Sequence, residues 1–207
     1  MHGYAGKVLW VRLDKKASEE TRLSENIALR LIGGKGFGAY YLNKIAPPGI
    51  DPFSPENPLI IASGPLNGTR TPMASKTGFF FKSPLTNVYG ESYVGGSMPR
   101  FPKMAGYDVV IITGKAETPI YLVIGDDGVE FRDARDLWGQ TTIEVDEALK
   151  REHGRKASVA CIGPAGENLV RYACICVDKW RQAGRCGGGA IMGSKNLKAI
   201  VFLGDYD

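Results

Sequence analysis

At 207 residues the chain is long enough to bury a real core, in one large domain or two small ones. Its 43% hydrophobic content is that of a globular protein, and no apolar run approaches bilayer-spanning length, so no membrane association is expected. A net charge of +4, from 26 basic and 22 acidic residues, suits an anionic ligand, but it is dispersed and not interleaved with aromatics, which argues against nucleic acid.

The N-terminus, "MHGYAGKVLWVRLDKK", lacks the charged, apolar and small-residue order of a signal peptide, so a cytoplasmic protein is expected. Within it "KVLWVRL" (7–13) reads as a β-strand. Ser24 offers an N-cap for a helix through Ile32, stopped by Gly33-Gly34, and "KGFGAYYLNKI" continues as a second helical segment. "APPGIDPFSPENP" is an irregular loop, and "LIIAS" (59–63) a buried strand opening onto the turn-rich "GPLNGTRTPMASK" with Arg70 and Lys76. "GFFFK" (78–82) is a strand. The glycine-rich stretch after it holds a short helix before Gly106.

"VVIITG" (109–114) and "IYLVIG" (120–125) are strands, with a hairpin turn at Asp127-Gly128 leading into "VEFRD". Thr141 and Glu144 form a capping-box pattern for a helix to about His153, closed by Gly154. Strands at 157–163, 171–177 and 199–204 complete the series. Helices do not alternate regularly with strands, which predicts an α+β fold of mixed sheets with a few short helices. No internal repeat and no linker stand out, so residues 1–207 read as a single domain.

The cysteines, Cys161, Cys174, Cys176 and Cys186, contain no C-x2-C spacing, which leaves zinc and compact iron–sulfur sites unsupported. Cys174 and Cys176 would share one strand face as small packed thiols. His2 and His153 are far apart without ligand partners nearby, so neither a catalytic histidine nor a protein-held metal is expected.

Glycine concentrates in "GGKGFG" (33–38), "YVGGS" (93–97) and "GRCGGGAIMG" (184–193), with Lys35, Arg100, Arg185 and Lys195 in or near them. Bare backbone N–H groups beside cations make a cradle for an anion. Tight turns and close packing explain single loops equally well, but three such loops favour a large anionic ligand. The P-loop order fails, because Ser194 precedes Lys195, and "GGKGFG" does not follow a strand as a dinucleotide fingerprint must.

The stretches "GGKGFGAYYL", "DPFSPENPLIIASGPLNGT", "KSPLT", "AGYDVVIITGKAE", "IGPAGENLV" and "AGRCGGGAIMGSKNLKAI" come in an order that carries a resemblance. The chain resembles the N-terminal domain of the tungsten-containing aldehyde ferredoxin oxidoreductases. The resemblance implies a saddle of β-sheets carrying tungstopterin, a bis-molybdopterin whose dithiolenes hold tungsten or molybdenum, with magnesium at the pterin phosphates. It implies oxidation of an aldehyde with water to a carboxylic acid, electrons leaving through a [4Fe–4S] cluster to ferredoxin. By position the cofactor contacts would fall at Lys76, Tyr93, Gly95, Ala183 and Arg185, with Gly96, Gly184, Gly187 and Gly188 in the same glycine stretches, where a pterin could lie against the backbone. The family commonly has arginine at Lys76, so a forked contact becomes a point charge. It often has asparagine at Tyr93, and it usually has a small residue at Cys186, here expected to be a filler.

In the family the cluster cysteines and the acid/base residues lie beyond this domain. The chain is therefore expected to be one domain of a longer or split oxidoreductase, inactive alone, with the remaining domains or subunit as partner and a homodimer as the oligomer to test. A non-catalytic binding or assembly module that keeps the fold without the cofactor is the alternative, favoured by Lys76 and Tyr93.

Overall fold

The computed structural model describes residues 2–204. The first half of the chain runs β1 (Lys7–Arg12), β2 (Ala17–Arg22), α1 (Glu25–Leu31), α2 (Lys35–Ile45), β3 (Leu59–Ser63), β4 (Thr77–Lys82), β5 (Tyr89–Val94), α3 (Phe101–Met104) and β6 (Val109–Thr113). The second runs β7 (Ile120–Gly125), β8 (Gly128–Asp133), α4 (Thr142–His153), β9 (Ser158–Cys161), α5 (Pro164–Glu167), β10 (Ile175–Val177), β11 (Arg181–Ala183), α6 (Gly188–Ser194) and β12 (Leu197–Phe202).

The triple phenylalanine of β4 displays the layering. Side chains alternate along a strand, so Phe79 and Phe81 join the core between the two sheets while Phe80 faces out beneath α2. The same division holds on β6, where Val110 and Ile112 face inward and Val109 and Ile111 outward. On the second sheet Leu122 and Ile200 point inward, whereas Val123 and Val201 meet Val145 and Leu149 of α4. The result is four layers, helices on sheet on sheet on helix, with every central strand buried on both faces. Such strands read as continuous apolar runs, which is why "LIIAS", "VVIIT" and "IYLVI" are legible as strands.

The α+β expectation holds, and the topology carries a repeat that the sequence does not display. The first sheet is ordered β2-β1-β6-β3-β4-β5, and the second, read from its β8 edge, β8-β7-β12-β9-β10-β11. Each strand of one order is its counterpart in the other plus six. The parallel pair falls at the same place, β1 with β6 and β7 with β12, and every other pairing is antiparallel. The two halves share one topology on different sequences.

Local expectations fared unevenly. Both halves of the capping box form, Thr141 N donating to Glu144 Oε2 at 2.7 Å and Glu144 N to Thr141 Oγ1 at 3.4 Å. Ser24 precedes α1 but its side chain caps nothing. The β7–β8 turn is Asp126-Asp127, since Gly125 pairs with Gly128. Strands β2, β5 and β11 were unforeseen. β2 is too exposed and polar to carry an apolar pattern; β5 and β11 lie at sheet edges, where burial on both faces is lost. The strand read over 171–177 is confined to Ile175–Val177. The glycine run at 188–193 is a buried helix, α6, not an open loop.

Candidate functional site

The edge strands β5 and β11 come together where the two sheets meet. Arg185 N donates to Ser92 Oγ at 2.9 Å, and a Cβ on Gly96 would stand 3.3 Å from Arg181 Cγ. This seam gathers the first half's Lys76, Tyr93, Gly95 and Gly96 with the second half's Ala183, Gly184 and Arg185, which are some ninety residues apart in sequence.

Lys76 immediately precedes β4, whose Thr77 pairs with Val94, so it comes alongside Gly95. A Cβ there would lie 3.4 Å from Lys76 Nζ. The loop carrying Lys76 is anchored by Asn67, whose Nδ2 donates to the Lys76 carbonyl at 2.6 Å, and by Ser75 Oγ, which donates to the Gly96 carbonyl at 2.7 Å. Gly96 takes φ +93°, a conformation costly for residues with a Cβ. Lys76, Gly96, Arg181, Gly184 and Arg185 are all exposed. Three cations and two stretches of bare backbone thus share one surface. Ala183, expected as a backbone contact, is wholly buried in the inter-sheet core, so neither its methyl group nor its backbone faces the surface.

Tyr93 is on the outer, helix-bearing face of the first sheet, edge-on to Phe80 at 5.8 Å. Its hydroxyl donates to Glu91 Oε2 at 3.3 Å, and Glu91 pairs with Lys35 at 2.8 Å. Burial first, and then the Glu91 carboxylate, push the Tyr93 phenol up to about 12. The phenol therefore stays protonated and is already engaged.

Several expectations of a glycine cradle need correction. At Gly187 a Cβ would stand 2.0 Å from the Arg171 carbonyl oxygen, and at Gly188 it would stand 3.0 Å from Phe81 Cε1 and 3.1 Å from Ile175 Cδ1. Both residues are buried, and protein atoms already occupy the space assigned to a pterin. In "GGKGFG", a Cβ on Gly38 would meet Phe80 Cγ at 2.3 Å, so this glycine admits α2 to the sheet. Lys195, expected near the ligand, is wholly buried and donates to the carbonyls of Pro55 at 2.9 Å and Gly114 at 3.3 Å. Open space remains at Gly34 in the first cluster, at Gly96 in the second, beside the flexible Arg181 side chain, and at Gly184 in the third, and the seam brings the last two together.

The cysteines behave as packed thiols. Cys161 and Cys176 face each other across β9 and β10, buried under α4, and burial raises the Cys161 thiol well above its ordinary range. Gln182 bridges two of the sulfurs, its Nε2 donating to Cys176 Sγ at 3.1 Å and its Oε1 accepting from Cys174 Sγ at 2.9 Å. Cys186 is half-buried against the inter-sheet core.

Missed from sequence were Ser92 and Arg181, both on the unforeseen edge strands. With β11 recognised as a strand in "KWRQAGR", alternation would have set Arg181 apart from Gln182.

Fold and site define a base domain: two like α+β halves whose meeting edges present backbone and cations on one open surface. Residues 8–204 match the family described as aldehyde ferredoxin oxidoreductase, N-terminal domain. The chain belongs to the aldehyde ferredoxin oxidoreductase family. Among its relatives, the tungsten-containing aldehyde ferredoxin oxidoreductase of Pyrococcus abyssi is 48% identical over 205 residues, 99% of this chain and 34% of that protein. The aliphatic sulfonate oxidoreductase, WOR-like subunit, of Pyrococcus furiosus is 39% identical over 220 residues, 99% of this chain and 35% of that protein. A solved structure of the active site complex BamBC of benzoyl coenzyme A reductase, in complex with 1,5-dienoyl-CoA, superposes with a TM-score of 0.96 at 41% identity. That match covers all of this chain and 32% of the other. The chain thus spans about a third of the length of these relatives.

Proposed function

We propose that this domain is the base of a tungsten bis-pterin cofactor in an oxidoreductase that converts an aldehyde and water to a carboxylic acid, two protons and two electrons. The observation that carries the reading is the seam, where Lys76, Arg181 and Arg185 stand beside half-buried Gly95 and exposed Gly96 and Gly184. The residues present fit such a group. A bis-pterin is long, flat and anionic at its phosphate ends, and the seam offers cations from both halves beside backbone that no Cβ screens.

The bound tungsten centre supplies the two-electron oxidation. The chain's own residues bind and orient. Arg185 can fork onto a phosphate, Lys76 neutralises as a point charge, and the backbone at Gly95, Gly96 and Gly184 admits the ring system closely. Tyr93 contributes no proton, being held by Glu91. Magnesium at the phosphates, a [4Fe–4S] cluster bound by residues outside this domain, ferredoxin as acceptor and a cytoplasmic setting belong to the same reading. Among the described residues no helix is long and apolar enough to cross a membrane. Relatives of similar identity are named for aldehydes, sulfonates and a coenzyme A thioester complex. The reading therefore assigns substrate choice to parts outside this domain.

The test is elemental analysis for tungsten and molybdenum with pterin fluorescence after oxidation, on protein purified from its natural source. Bound tungsten with two pterins per metal is expected, and Lys76→Met and Arg185→Met should each lower it severalfold. Metal-free, pterin-free protein from tungsten-replete cells would sink the reading and favour the assembly-module alternative.

A further inference from the structure

The topological repeat gives every residue at the seam a counterpart. β5 ends at Val94 and β11 at Ala183, both with side chains in the inter-sheet core. Counting on from these ends, Gly95 corresponds to Gly184, Gly96 to Arg185, and Ser97 to Cys186. The third residue of each loop is fastened, and in both cases the fastening comes from the other half. Ser97 Oγ donates to Asp178 Oδ2 at 2.6 Å, and Asp178 opens the β10–β11 turn of the second half. The Cys186 carbonyl accepts from Ser83 Oγ at 2.8 Å, and Ser83 opens the β4–β5 turn of the first half.

We propose that Asp178 and Ser83 are positioning residues of a reciprocal clasp, in which each half's hairpin turn holds the ligand-facing loop of the opposite half. The proposal rests on the cofactor reading for what the loops face. The clasp itself rests on hydrogen bonds.

The two clasps reach the same connection with different chemistry. Asp178 is itself pinned to the second sheet, accepting from Val159 N at 3.1 Å, Ser158 Oγ at 3.0 Å and Lys150 Nζ at 3.0 Å. With Ser97 as fourth donor the carboxylate is saturated, and the bond is charge-assisted and short. Ser83 is pinned by its own turn, its Oγ accepting from Leu85 N at 3.2 Å and Thr86 N at 3.1 Å. Both loops need such restraint. Gly96, Gly184 and Arg185 are exposed, so burial does little to order them, and Cys186 holds φ +64°, a left-handed conformation unfavourable for a residue with a Cβ. A ligand bridging both loops is gripped only if the loops keep one spacing. Cross-fastening ties that spacing to the two sheets rather than to loop stiffness.

The experiment uses the natural protein with Ser97→Ala, Asp178→Asn, Ser83→Ala and the conservative Ser97→Thr, reading hydrogen exchange along the chain and tungsten per protein. Ser97→Ala should speed exchange at 95–97 by about tenfold, as loss of one charge-assisted bond predicts, and leave 184–186 unchanged; Asp178→Asn should do the same and also speed exchange at Val159, which the carboxylate holds. Ser83→Ala should do the reverse, and Ser97→Thr should behave as wild type. Tungsten content should fall by roughly threefold in the three disruptive variants, while the thermal midpoint of Ser97→Ala and Ser83→Ala stays within about 2 °C. A merely structural bond would not produce the crossed pattern. Unchanged exchange at 95–97 in Ser97→Ala, or acceleration confined to the hairpin bearing the substitution, overturns the clasp. If wild-type protein holds no tungsten or pterin, the cofactor reading fails, and the crossed exchange pattern alone still decides the clasp.

Discussion

The two halves share a strand order yet solve the same packing problem differently. The first covers its outer face with two helices, α1 and α2, and sends six-residue strands β4 and β5 to the seam. The second uses one helix, α4, and its seam strands β10 and β11 are three residues long. What the first half gains in strand length the second gains in a buried helix: α6 lies wholly inside, while its counterpart α3 has only four residues. The seam chemistry diverges likewise. Lys76 is matched by Cys174, Tyr93 by Gln182 and Gly96 by Arg185. Topology is set by which strands can pair and which faces must be buried, and those demands are met by many sequences. Charges at the seam are under no such demand, so each half contributes its cations from a different place.

The sharpest way to break this comparison is to place valine at one glycine of each half. Gly187 belongs to the packed second half, with φ +81° and the Arg171 carbonyl oxygen 2.0 Å from where a Cβ would stand, and that backbone cannot yield cheaply. Gly187→Val should cost about 3 kcal/mol or more and leave little folded protein. Gly96 faces only the flexible Arg181 side chain, so Gly96→Val should cost about 1 to 2 kcal/mol, the price of its left-handed backbone. Thermal unfolding of the two variants checks the ranking, and equal melting temperatures would refute the division into packed and open glycines.

Lys195 sharpens the comparison through pH. Burial lowers its amine from the ordinary lysine range to about 7, with Asp14 opposing more weakly. Between pH 7 and the ordinary lysine range the unfolded chain therefore binds the extra proton. Stability gains from this group as pH rises through that window, and the burial penalty on the charged form is fullest below it. Wild type should gain on the order of 2 kcal/mol relative to Lys195→Met between pH 7 and 9.5. Parallel pH profiles of the two proteins would show that the amine is solvated.

The smallest effect belongs to the capping box. Thr141→Ala should destabilise α4 by about 1 kcal/mol, and amide exchange should quicken in its first turn. Because α4 alone covers the outer face of the second sheet, faster exchange should extend to β9 and leave β3 untouched. Uniform acceleration in both sheets would mean that the halves unfold as one unit.

Sequence alone determined what depends on near neighbours. Apolar runs announced the strands buried on both faces, Thr141 with Glu144 announced α4, and long ordered motifs announced the family. Lys76, Gly95 and Arg185 were singled out in sequence through motif position, and the structure gathers them at one seam. Tertiary structure alone decided why each glycine is there. Gly96 and Gly184 open to solvent, while Gly187 meets the Arg171 carbonyl and Gly188 meets Phe81. Whether a missing side chain admits a ligand or a distant strand depends on which atom arrives from elsewhere in the chain, and no local pattern encodes that atom. The repeated topology was hidden for a related reason. Pairing and burial select residue classes rather than residues, so one strand order is reached by two different sequences, both with a Gly-Pro pair after the third strand of the half, at 64–65 and 163–164.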